Sequence, residues 1–169
     1  NLQIRRFVRL EGTLMPYIHG GGKIGVMVRV ESSDGASEAA LTVAKDCALQ
    51  IAAMNPAYLN REAVPASVLE EEKTIVLSQM AEDPKMAAKP EQVRAKIAEG
   101  KVGKYFSENC LLEQTFVKDG SMTVQQYVDS AAKAAGTSIK VVEYVRFERG
   151  EGIEKKADNF AEEIASMIK

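Results

Sequence analysis

Alternating apolar and polar residues mark three stretches of the chain as strands that each bury one face. These stretches cover about Leu2–Leu10, Lys23–Glu31 and Ser138–Phe147, and Thr13–Ile18 is expected to be extended as well. In the last strand the predicted shared face consists of Ile139, Val141, Val145 and Phe147, interrupted by Glu143. The pattern therefore predicts a small sheet with one apolar face.

Apolar residues at helical spacing predict further elements on either side of the middle of the chain. The first helix covers about Glu38–Met54 and is expected to end at Asn55, because the residue before a proline disfavours helix. A shorter helix is predicted near Val124–Ala135, with Gly136 as its C-cap. A last helix is predicted for Asp158–Ile168.

The segment between these elements has a different character. Pro65 suits a first helical turn, Ser67 and Glu70 form a capping-box pattern, and two proline-containing breaks near residues 84 and 90 separate two helices. Charges of both signs dominate and the apolar seam is thin. We therefore expect an antiparallel helical hairpin that projects as an arm, although two helices packed on the sheet would also fit such a pattern.

The order of these elements predicts an α+β fold: a small antiparallel β-sheet covered by helices, with a protruding antiparallel helical hairpin. We divide the chain into an α+β core of residues 1–60 and 110–150, a hairpin arm of residues 61–109 and a C-terminal helix of residues 151–169. The chain starts at Asn1 and enters a strand pattern at once, which suggests a fragment of a longer protein or a processed chain.

Composition narrows the function classes. The formal net charge of −2 does not fit a dedicated nucleic-acid binder, and no apolar stretch approaches the length of a membrane span. One histidine and two widely separated cysteines, Cys47 and Cys110, provide neither metal-ligand spacing nor a disulfide framework. Cys47 lies in an apolar helical pattern and is expected to be a buried thiol in a reducing cytoplasm.

A glycine-rich loop carries the only histidine, His19. Gly20, Gly22 and Gly25 have the spacing of a dinucleotide-binding turn, but a strand and not a helix is predicted to follow. The His-Gly-Gly-Gly sequence matches an esterase oxyanion motif without the required serine elbow, and the Gly-Lys pair lacks the Ser or Thr of a phosphate-binding loop. What remains is a flexible turn, or a surface loop that presents its backbone and imidazole to a partner.

Several segments together resemble one protein family. They are YIHGGGKIGVMV from Tyr17, DCALQIAAMNP from Asp46, EQTFVKDGSMTV from Glu113 and RFERGEGIEK from Arg146, and they occur in the order found in elongation factor Ts. The resemblance covers essentially the whole chain. It implies a guanine-nucleotide exchange factor that binds the GTPase elongation factor Tu, weakens its hold on magnesium and GDP, and uses no cofactor and no covalent chemistry.

The resemblance also implies which part of the family's architecture is present. The chain looks like the second half of the core, the helical hairpin and the C-terminal helix. The family's Thr-Asp-Phe motif, whose phenylalanine wedges into the GTPase near its magnesium site, does not occur in this sequence, and neither does the family's amino-terminal helical module. The part present is expected to dock on the third domain of elongation factor Tu rather than to drive exchange.

Carried over by motif position, the residues expected to bind the partner are His19 with Gly20, and Val117 with Lys118, which stands where a methionine would be more usual. Asn1 corresponds to the end of another contact loop. Phe116 and Val117 form an apolar pair in a polar loop; such a pair is either an exposed contact or a cap on the core beneath the arm.

A second function class stays open. The chain could act as an oligomerisation module without exchange activity of its own, pairing with another copy through its sheet edge or through the arm. In either case we expect a cytoplasmic protein that is not an enzyme, and that binds neither nucleic acid directly nor membranes.

Overall fold

The computed structural model describes residues 4–153, and these form an α+β fold as predicted. The strands and helices, in chain order, are β1 Thr13–His19, β2 Ile24–Ser32, α1 Glu38–Met54, α2 Ala66–Glu82, α3 Pro84–Ala87, α4 Glu91–Asn109, β3 Thr115–Phe116, β4 Asp119–Thr123, α5 Val124–Ala135 and β5 Ile139–Glu148. The predicted helix Asp158–Ile168 lies outside the described residues.

Within residues 4–153 the main sheet has three antiparallel strands in the order β1-β2-β5. The β1–β2 hairpin pairs Thr13 with Val30 at one end and His19 with Ile24 at the other. The alternate residues Val26, Val28 and Val30 of β2 are buried, because this central strand packs one face against α1. The small β3–β4 hairpin pairs Thr115 with Thr123 and leads directly into α5.

A bulge in the pairing of β2 with β5 changes which side chains face the core. The register shifts between Arg29 and Val30, so Val141 lies opposite Val30 whereas Tyr144 lies opposite Val28. Since side chains alternate along a strand, the extra residue moves every later side chain of β5 to the opposite face. The predicted shared face is therefore wrong: Ile139 and Val141 are buried in the core, but Val145 and Phe147 line the outer face of the sheet.

The predicted strand over Leu2–Leu10 is also wrong for residues 4–10, which have no regular secondary structure. Alternation is not sufficient for a strand, since a strand also needs a neighbour for its backbone hydrogen bonds. Instead, side chains fasten this segment to the sheet. Val8 lies over the outer face, and Arg6 stacks on the ring of Phe147 and pairs with Glu151 at 2.5 Å.

Helix α1 begins and ends where the sequence predicts. The side chain of Ser37 accepts the first-turn amide of Ala40, and Asn55 ends the helix in the left-handed region with φ 46°. The predicted apolar stripe, which includes Cys47 and Ile51, is fully buried against the sheet and α5. Helix α5 likewise ends at Gly136, with φ 66°.

Helices α2 and α4 pack on each other around Val76, Met80 and Ala98, a cluster separate from the main core. The predicted capping box is wrong. Pro65 and not Ser67 precedes the first helical residue, and no side chain caps this end of the helix. Helix α4 is joined to the core at its last residue, where the carbonyl of Asn109 accepts the amides of Ala57 and Tyr58.

Candidate functional site

His19 is the last residue of β1, and its side chain is exposed. The hydroxyl of Tyr17 lies 3.0 Å from its Nδ1, and the centroids of the two rings are 5.9 Å apart. Residues two apart on a strand point to the same face, which explains why these rings meet. Because Tyr17 also packs against the core, it fixes the position of the imidazole at the end of the sheet.

The turn that follows His19 needs its glycines. Gly20, Gly21 and Gly22 have φ values of 59°, 62° and 86°, a run that side chains with a Cβ rarely adopt. The turn closes with a hydrogen bond of 3.1 Å from the amide of Lys23 to the carbonyl of His19. Strand β2 begins directly afterwards, so the helix that a nucleotide-binding turn requires is absent at this position. The motif is a tight hairpin turn that exposes its backbone beside an imidazole.

In the second predicted contact segment, Phe116 and Val117 point in opposite directions. The side chain of Phe116 is only 4% exposed and stacks on Tyr127 with ring centroids 4.2 Å apart. Val117 is 46% exposed. Of the two alternatives for this pair, Phe116 fits a cap on the core, whereas Val117 is exposed as a contact residue would be. Only Val117 offers an apolar side chain to a partner.

The side chain of Lys118 is bound to the core through an ion pair with Asp46. Its Nζ lies 2.5 Å from Oδ1 of Asp46, and Tyr127 donates its hydroxyl to Oδ2 of the same carboxylate at 2.7 Å. Burial, followed by the hydrogen bond to Asp46, raises the pKa of Tyr127 above its ordinary value. The side chain of Lys118 remains half exposed and can still face a partner, but its charge is partly balanced by Asp46.

The two predicted contact regions lie on different elements that share α1 as support. His19 and Gly20 form the end of the β1–β2 hairpin, whereas residues 116–118 lie beside Asp46 and Gln50 of α1. Asn1, the remaining predicted contact residue, lies outside the described part of the chain. Residues 4–153 contain neither a metal-binding cluster of His, Cys, Asp and Glu nor a helix that could cross a membrane.

Sequence reasoning missed the polar residues of α1 that hold residues 115–118. Asp46 and Gln50 are both buried although they are polar, and they lie one helical turn apart. Both interrupt the otherwise small and apolar buried surface of the helix. That interruption was a usable signal, because a buried polar side chain must find hydrogen-bond partners elsewhere in the fold.

Comparison with known proteins places these features in a family. The family model described as elongation factor TS matches residues 1–151. The chain is 46% identical over 171 residues to elongation factor Ts of Clostridium kluyveri, an alignment that covers 99% of this chain and 54% of that protein. It is 47% identical to the protein of Clostridioides difficile over 170 residues, covering 99% of the chain and 54% of the relative. It is 45% identical over 172 residues to elongation factor Ts of Syntrophotalea carbinolica, an alignment that covers 100% of this chain and 55% of that protein. The chain thus spans about half the length of these curated relatives.

Proposed function

The chain belongs to the elongation factor Ts family, and we propose that it contributes to guanine-nucleotide exchange by docking on elongation factor Tu. The observation that carries this proposal is the family match over residues 1–151. It is supported by the exposure of His19, Gly20, Val117 and Lys118, the positions at which the resemblance implies partner contacts. On this proposal the chain performs no covalent chemistry, needs no cofactor and works in the cytoplasm beside its GTPase.

We define the docking surface as His19, Gly20, Val117 and Lys118. Its backbone is supported from within: the glycine turn closes on His19, and a side chain of α1 binds the amide of Val117. A surface held in this way loses little conformational freedom when a partner binds, so more of the contact energy appears as affinity. An imidazole, a half-exposed valine and a half-exposed lysine side chain fit a partner surface with both polar and apolar parts.

Docking alone does not account for exchange. A ligand shifts a conformational equilibrium only by binding one state better than the other, and contacts to a domain distant from the nucleotide gain affinity for both states alike. The resemblance assigns the state-selective contact to the Thr-Asp-Phe wedge, which these 169 residues do not contain. The proposed role of this part is therefore affinity and orientation.

Isothermal titration calorimetry with elongation factor Tu in its GDP form tests the docking proposal. We expect saturable binding to the intact GTPase and none to a variant that lacks its third domain. Absence of binding to the intact protein contradicts the proposal. Equal binding to both forms would support elongation factor Tu as the partner but contradict the proposed docking site on its third domain.

A second candidate function is self-association, and one observation favours it. The outer face of the sheet is apolar, with Pro16, Ile18, Met27, Val145 and Phe147 around a groove that residues 4–10 cover only in part. Uncovered apolar faces of this kind often mark interaction surfaces. Sedimentation velocity over a range of concentrations separates the two functions, since a monomer that still binds the GTPase rules out an obligate dimer.

A further inference from the structure

The carboxamide of Gln50 joins α1 to the backbone on both sides of Phe116. This side chain is fully buried. Its Nε2 donates to the carbonyl of Thr115 at 3.1 Å, and its Oε1 accepts the amide of Val117 at 2.8 Å. A second hydrogen bond from Nε2, to Oε1 of Gln114 at 3.1 Å, completes the group.

This arrangement reproduces the hydrogen bonds of a parallel β-ladder. In such a ladder one residue donates to the carbonyl before its neighbour and accepts the amide after it. The carboxamide of Gln50 likewise donates to the carbonyl before Phe116 and accepts the amide after it, in the position that a neighbouring strand would occupy. Residues 115 and 116 form strand β3, and Val117 begins the turn that leads to β4. The carboxamide thus bonds the backbone on both sides of the point where the strand enters the turn. Phe116 is directed into the core, and Val117 is directed outward.

Neighbouring polar groups restrict residues 114–118 to this one arrangement. Gln114 donates its Nε2 to the carbonyl of Glu108 at 2.8 Å, so both buried amides are bonded. One turn earlier on α1, Asp46 binds Lys118 and Tyr127. Buried polar networks whose members are all bonded favour one arrangement over its alternatives, because any other leaves a desolvated group unpaired.

We propose that Gln50 is a positioning residue for partner binding, which sets the direction of Val117 without touching the partner. This proposal rests on the proposed function, in which Val117 contacts elongation factor Tu. Truncating Gln50 leaves the amide of Val117 and the carbonyl of Thr115 without this partner, so the turn at residues 117–118 is held only by the β3–β4 pairing and by the packing of Phe116.

The first test is a double-mutant cycle in the whole chain, with affinity for elongation factor Tu measured by calorimetry. We expect Gln50→Leu and Val117→Ala each to weaken binding about tenfold, and the double variant to bind no more weakly than the weaker single variant. Effects that multiply would overturn the proposal, since Gln50 would then act independently of Val117. Ile51→Ala on the same helix is the control: it creates a core cavity, and after correction for the folded fraction its affinity should be unchanged.

The second test does not depend on the partner. Amide hydrogen exchange in the free chain should be at least about tenfold faster at Val117 in Gln50→Leu than in the parent, because this amide loses its acceptor. The amide of Arg149, bonded to the carbonyl of Lys23, should exchange at an unchanged rate in both. An unchanged rate at Val117 overturns the proposal. If Val117→Ala leaves affinity intact while Gln50→Leu accelerates this exchange, the proposed contact at Val117 fails but the positioning of the segment by Gln50 is supported.

Discussion

The hydroxyl oxygen of Tyr17 lies 3.0 Å from Nδ1 of His19, two positions further along the same strand. Tyr17 packs on the core from one side of the sheet, while His19 is exposed where the strand ends. The pair therefore ties an exposed imidazole to the interior. With Nδ1 engaged, the other ring nitrogen remains for a partner.

His19→Ala should weaken binding to elongation factor Tu, because loss of a packed ring or an interface hydrogen bond typically costs about 1–3 kcal/mol. Titration calorimetry measures the change. Lys140→Ala, at an exposed position outside the docking surface, serves as the matched control. Circular dichroism must first show that both variants keep the fold. An unchanged affinity for His19→Ala would contradict the predicted contact.

Tyr17→Phe should weaken binding by less than His19→Ala, by about 0.5–1.5 kcal/mol, since it removes one hydrogen bond and keeps the ring packing. If Tyr17 acts by holding the imidazole, the Phe substitution should have no further effect once His19 is alanine. The same calorimetric titration on the double variant decides this. An additive loss would mean that the hydroxyl of Tyr17 contributes through a contact of its own and not through His19.

The 169-residue chain should bind elongation factor Tu and yet barely accelerate GDP release, because its sequence contains no Thr-Asp-Phe wedge. Stopped-flow release of a fluorescent GDP analogue measures the rate, with a full-length elongation factor Ts as the reference. If the chain reaches rates near the reference, the wedge account is wrong. The docking surface would then have to distinguish the two states of the GTPase.

Replacing residues 67–104 with a short glycine-rich linker should leave the core folded. Helices α2 and α4 bury their own cluster around Met80, separate from the core, while Asn109 and its hydrogen bonds to Ala57 and Tyr58 are kept. Thermal unfolding followed by circular dichroism should remain one cooperative transition with less helical signal. Loss of cooperativity would show that the core depends on these helices.

The free energy of unfolding should fall as the pH rises above about 9. Burial raises the pKa of Cys47 from 9.0 to about 12, and burial together with the nearby Cys110 raises the pKa of Tyr144 to about 12. The folded state therefore holds protons that the unfolded chain releases between these values, so this contribution is complete below pH 9 and is lost towards pH 12. Urea unfolding at pH 8 and pH 10.5 measures the fall, and Cys47→Ala should reduce it. A fall of equal size in the variant would assign it to other groups.

Much of the fold follows from local patterns. Ser37 and Asn55 bound α1, and Gly136 ends α5, because caps act on the nearest turns of their own helix. The family and the two predicted contact segments were likewise recognisable as continuous motifs. The direction of each side chain in those segments was not. Phe116 and Val117 are adjacent and both apolar, and only the packing on Tyr127 separates a core residue from an exposed one.

The sequence by itself determined the bounds of α1 and α5, the position of the β1–β2 hairpin to within one residue, and which family the motifs resemble, because these depend on residues within a few positions of one another. The tertiary structure decided three things that depend on distant partners. The β2–β5 bulge places Val145 and Phe147 on the outer face of the sheet. Residues 4–10 pair with no strand. The side chain of Gln50 binds backbone groups 65 and 67 positions later in the chain. Alternation and helical spacing describe one element at a time. They do not predict the register between elements, because that register depends on forming the backbone hydrogen bonds and burying the apolar surface at the same time.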